Sequence, residues 1–149
     1  MARRLGIDLR ITRLLLQIGV MCARLERYEE AERIIRAVRA FRDDLPHPGT
    51  ALATSFLFQG RLEEAAQELE SVLLVYPNHQ LGKAFLGLVY RQTGRDGWQQ
   101  LLQSVLDDGC DEAAVELARH CMDLDGDAPA AAAAPAREPR PFVAAHLYA

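Results

Sequence analysis

Four histidines, three cysteines and a run of alternating aspartates are the residues here with the most reactive side chains. His120 and Cys121 are adjacent, a pairing from which an imidazole activates a thiolate. Neighbouring residues on a helix point about 100° apart, so these two do not face each other; the pair reads as a core cysteine beside a surface histidine. His47, His79, His120 and His146 lie far apart, and His47 and His79 fall in turn-like sequence. Asp123, Asp125 and Asp127 alternate as in a calcium loop. Gly126 interrupts them and no glutamate follows at the required spacing, which leaves a solvated helix end. Gly-rich phosphate loops, serine-centred elbows and zinc-type cysteine spacings are missing. The expectation is a protein that is not an enzyme and uses no cofactor and no metal.

Composition narrows the class further. The 149 residues suit one domain with a tail, and 50% of them are apolar. A net charge of −4 argues against general nucleic-acid binding, and the arginines alternate with acids as on solvated helix faces. Three cysteines without close pairing fit a reducing compartment better than a disulfide framework. Arg3, Arg4, Arg10 and Arg13 ahead of LLLQIGVMCA resemble a secretion signal. Asp8 and Gln17 interrupt that pattern, and cleavage there would remove a helix. A cytoplasmic location is expected, with the periplasm as the alternative.

The elements that position these residues follow from a repeat. Tyr28-Glu29-Glu30-Ala31 realigns on Leu62-Glu63-Glu64-Ala65, an interval of 34 residues. Ile18-Gly19 falls under Leu52-Ala53 and Leu86-Gly87, Cys22 under Phe56 and Tyr90, and Ile35 under Leu69. Helical units at this interval are the signature of tetratricopeptide repeats, in which one helical hairpin cannot bury both faces alone and so stacks on the next. Gly19, Ala53 and Gly87, with Ala31 and Ala65, let the two helices of a hairpin approach. Ile18, Leu52 and Leu86, with Cys22, Phe56 and Tyr90, fill the space between hairpins. The predicted fold is all-α: a right-handed stack of three such repeats with a C-terminal capping helix.

In chain order, residues 1–10 form a lead-in and residues 11–124 hold the repeats and the cap. Residues 125–149 form an Ala/Pro-rich disordered tail. The patterning predicts helices over 11–25, 28–41, 50–59, 62–76, 79–93, 97–106 and 110–124. Residues 43–49 act as a break, Thr50 as an N-cap, and Asp111 as the cap of the last helix. Gln99 replaces the small alanine of the third unit and Trp98 stands beside it, so the sixth helix is expected to pack differently. The apolar end, residues 142–148, is either a docking peptide or an unstructured tail.

Repeat register also predicts an open concave face. Its lining comprises Leu16, Val20 and Ala23 from the first helix, Thr50, Thr54, Leu57 and Phe58 from the third, and Leu81, Ala84, Leu88 and Arg91 from the fifth. It is mostly apolar and lacks the Lys and Asn residues that clamp a terminal carboxylate in some repeat proteins. Such a groove suits an amphipathic helix or extended apolar segment of a partner. The other reading is that the chain's own termini or a second copy cover it.

Residues 83–90 (KAFLGLVY), 93–98 (TGRDGW) and 105–109 (VLDDG) together resemble the C-terminal half of the HrpB/HrpK family of bacterial type III secretion proteins. Residues 37–42 (AVRAFR) resemble an earlier helix of that family, and the similarity runs over about residues 11–122. Arg95 separates Gly94 from Asp96, a departure from the family pattern. The resemblance implies an accessory protein of a type III secretion system. Such a protein holds a needle, pilus or translocator subunit as chaperone or assembly factor, or serves as a periplasmic or wall-associated scaffold.

Overall fold

The computed structural model describes residues 8–123, which form seven α-helices and no strand. They are α1 (Leu9–Arg24), α2 (Tyr28–Phe41), α3 (His47–Phe58), α4 (Leu62–Val75), α5 (Gln80–Thr93), α6 (Trp98–Asp108) and α7 (Glu112–Asp123). Each odd helix packs on the even helix that follows it, and each even helix also packs on the next odd one. The odd helices touch one another as well, α1 on α3, α3 on α5 and α5 on α7. The lead-in before Asp8 and the Ala/Pro-rich segment lie outside the described residues, as do Asp125, Asp127 and His146.

The 34-residue interval is visible in the backbone. Glu26, Gly60 and Gly94 all adopt the left-handed conformation, with φ of 61°, 72° and 69°. Just after each, an amide returns to the preceding helix at the same register. Arg27 N donates to Cys22 O at 2.9 Å, Arg61 N to Phe56 O at 2.9 Å, and Arg95 N to Tyr90 O at 2.8 Å. These bonds satisfy carbonyls that a helix C-terminus otherwise orphans. Arg27–Glu30 and Arg61–Glu64 then form matching ion pairs at the starts of α2 and α4.

Close approach within a hairpin is what the small residues provide. A Cβ on Gly19 would lie 2.7 Å from Ile35 Cγ1, and one on Gly87 would lie 2.6 Å from Leu102 Cδ2. In the third unit the register slips by one residue. Leu102, not Gln103, occupies the place of Ile35 and Leu69, and Gln99 points to solvent. Gly97, at φ 90°, precedes a helix that starts at Trp98, two residues later than the interval from Leu62 would place it. The indole is half-buried against the core, as expected for a differently packed sixth helix.

The third helix corrects the sequence reading. It begins at His47, three residues before Thr50, with Pro48 in its first turn. Proline is tolerated there because its missing N–H is one that a helix start leaves unpaired in any case. Thr50 is therefore inside the helix and not its N-cap; its hydroxyl donates to Pro46 O at 3.2 Å. Asp111 does cap α7, with Oδ1 accepting from Ala114 N at 3.2 Å.

Candidate functional site

All nine residues from Pro48 to Phe56 are buried, since α3 is flanked by α1, α2, α4 and α5. A helix enclosed on every side offers no groove along its length. Of the residues expected to line the open face, Leu16, Val20, Ala23, Thr50, Thr54, Leu81 and Ala84 are only 0–4% exposed. That part of the expected lining is corrected: these side chains form core, because the odd helices lie against one another where the repeat register suggested open space.

Four of the expected residues keep surface. Leu57, Phe58 and Leu88 are half-buried, packed on the core with one side to solvent, and Arg91 is half-buried on α5. The Phe58 carbonyl accepts a hydrogen bond from the Tyr28 hydroxyl at 3.3 Å, which ties the end of α3 to α2. The Arg91 guanidinium sits 5.5 Å from the centre of the Trp98 ring, a cation–π distance. These residues occupy the C-terminal turns of α3 and α5, three apolar side chains and one guanidinium.

At the opposite ends of the same two helices is a cluster that sequence reading treated as separate residues. His47 opens α3 and His79 precedes α5, and their rings meet edge to face with centroids 5.6 Å apart. His79 Nε2 lies 2.9 Å from Thr50 Oγ1. His47 Nδ1 and Gln80 Oε1 are buried without a hydrogen-bond partner among the described residues. Burial holds both imidazoles below their ordinary range, and His79, beside His47, is lowered to about 4. Arg13 pushes His47 further down while Asp111 pulls it up. The first helix and the cap of the last one therefore act on the same ring. The available signal was the spacing of His47 and His79, close to the repeat interval.

The remaining chemistry is dispersed. Cys121 is buried, which pushes its thiol up to about 11, and His120 is exposed, so the two diverge as their adjacency predicted. Among the described residues no group of three His, Cys, Asp or Glu is placed to hold a metal ion. Glu32 accepts from Gln59, Arg36 and Arg61 at 2.9–3.1 Å beside a polar cleft of about 460 Å³, tying α2 to the α3–α4 turn.

One apolar surface was not anticipated. Ile18 was expected to fill space between hairpins, as Leu52 and Leu86 do at 2% and 5% exposure, yet it is 42% exposed. No described hairpin precedes α1, so among the described residues no helix covers that side. Ile11, Leu14, Met21 and Leu25 share the condition at 51–66% exposure.

Known proteins add one result. Residues 4–127 match a family model described as bacterial type III secretion protein (HrpB1_HrpK). Neither the search of curated proteins nor that of solved structures found a match. No described helix is long and apolar enough to cross a membrane. Because the family match spans most of the chain, from before α1 to beyond α7, this chain belongs to the HrpB1/HrpK family of bacterial type III secretion proteins.

Proposed function

We propose that this protein is a non-enzymatic accessory factor of a type III secretion system that acts in the cytoplasm as chaperone or assembly factor. Its cargo is an amphipathic or apolar segment of a needle, pilus or translocator subunit. Its helices form a tetratricopeptide-like stack, a reading supported by the left-handed residues recurring at 26, 60 and 94 and by the contacts among odd helices. The observation that carries the function is the family match over residues 4–127. Leu57, Phe58, Leu88 and Arg91 supply the contact, since these are the expected binding residues that retain surface. An apolar patch beside a guanidinium suits a segment with alternating apolar and acidic or polar side chains.

The test is a pull-down with the intact protein from cells expressing type III secretion genes, using the unaltered chain and Leu88→Lys. Circular dichroism verifies that the variant is folded. Recovery of a small helical secreted subunit, lost with Leu88→Lys, is the expected result. Recovery of membrane-ring or wall components, unaffected by the change, replaces the chaperone reading with a scaffold.

A further inference from the structure

The uncovered face of α1 is a narrow, regular stripe. Ile11, Leu14, Ile18, Met21 and Leu25 recur in steps of three and four residues, and each is 42–66% exposed. On a helix this alternation keeps the side chains within one seam, the pattern by which two helices pack side by side. It is narrower than the broad apolar arc with which a helix lies in a membrane surface. The geometry therefore favours a helix as occupant.

Charge selects which helix. Arg10, Arg13 and Arg24 are exposed on α1, and no acid occurs between Leu9 and Leu25. At 100° per residue, Arg10, Gln17, Arg24 and Arg13 all fall along the same border of the stripe, while Leu15 and Cys22 form the other. None of the three arginines is in an ion pair among the described residues, although ion pairs hold most other arginines between Arg27 and Arg95. A second copy in a two-fold antiparallel pairing sets these basic borders against each other, where like charges repel, and a parallel two-fold sets each against the border of Leu15 and Cys22, which offers the arginines no acid. A head-to-tail stack needs apolar surface at the far end, and none of the exposed large apolar residues lies on α5, α6 or α7. We propose that α1 is the docking site for an amphipathic helix of another protein, with a heptad apolar seam bordered by acidic residues. The surface is distinct from Phe58 and Leu88, and the proposal does not rest on the chaperone reading.

The test uses the full chain and two fluorescein-labelled three-heptad peptides with leucine at the seam positions. One carries glutamate along both borders and the other lysine. Fluorescence anisotropy is expected to show saturable binding of the glutamate peptide, about tenfold tighter than the lysine peptide, with the preference shrinking as salt rises. Ile18→Glu removes binding, and Met21→Glu serves as a second probe of the seam; both sites are exposed, so circular dichroism stays unchanged. Arg10→Glu with Arg24→Glu reverses the preference towards the lysine peptide. Any of four results overturns the proposal: no binding of the glutamate peptide at about 1 mM; equal affinity for both peptides; insensitivity to Ile18→Glu; or failure of the charge reversal to switch preference. A dimer seen by analytical ultracentrifugation and dissolved by Ile18→Glu overturns it in favour of a second copy. Ile18-dependent binding to phosphatidylglycerol vesicles overturns it in favour of a membrane.

Discussion

The two ends of this stack are finished differently. At the α7 end the register slips by one residue, Gly97 and Gly109 both take left-handed backbone, and α7 lays Ala114, Leu117, Ala118 and Cys121 against its neighbours. At the α1 end the same repeat pattern continues, yet the positions that bury Leu52 and Leu86 leave Ile18 in solvent. A residue's burial in a repeating structure is thus set by whether a neighbouring unit lies against it, and not by its own helix. One end here is closed by α7, which packs on α5 and α6, and the other carries an apolar seam.

This contrast can be broken at several points, the largest effect first. Leu102 is fully buried beneath Gly87. Leu102→Ala should cost about 3 kcal/mol in urea denaturation, whereas Ile18→Ala should cost under about 1 kcal/mol. Equal losses would mean that the α1 end is covered after all.

A second effect joins the ends. His79 takes up a proton at about 4 when folded and near 6.5 when unfolded, so the unfolded chain binds more protons between those values. Stability is therefore fully present above pH 6.5 and falls as pH drops towards 4, by on the order of 2 kcal/mol after allowance for partial exposure. His79→Asn should flatten that part of the profile, and an unchanged slope would remove His79 as its source.

Asp111→Ala should cost about 1 kcal/mol through loss of the α7 cap. At the other end, Glu26 holds a left-handed conformation that glycine occupies at 60 and 94. Glu26→Gly should stabilise the protein by roughly 0.5 kcal/mol, the relieved backbone strain exceeding the added freedom of the unfolded chain. Thermal denaturation measures both, and a destabilising Glu26→Gly would show that its side chain makes a contact worth more than the strain.

Much of the helical frame was legible because it is local. Tyr28–Phe41 was read with both ends correct, and α4 and α5 to within one residue, since apolar spacing and the glycines at 60 and 94 mark them. The buried face of α7 was likewise legible from Ala114, Val115, Leu117, Ala118 and Cys121. The start of α3 was not, because Pro48-Gly49 carries the composition of a break while standing where a helix accepts it. The expected open face was least legible. Periodicity says that Val20 and Thr54 are equivalent, but not whether the next odd helix lies against them, as it does. The seam on α1 was hidden for the converse reason: Ile18 looks like Leu52 until the missing neighbour is counted.

The position of Trp98 governs how unfolding will be seen. It is the only tryptophan in the chain, and it sits at the start of α6 under the Arg91 guanidinium. Its emission reports on the α5–α7 end alone, while far-ultraviolet ellipticity reports on every helix. If α1 detaches first, ellipticity will fall before the indole senses water, and the two denaturation curves will separate. A fluorescence melt alone would then overstate the stability of the end that carries the open seam.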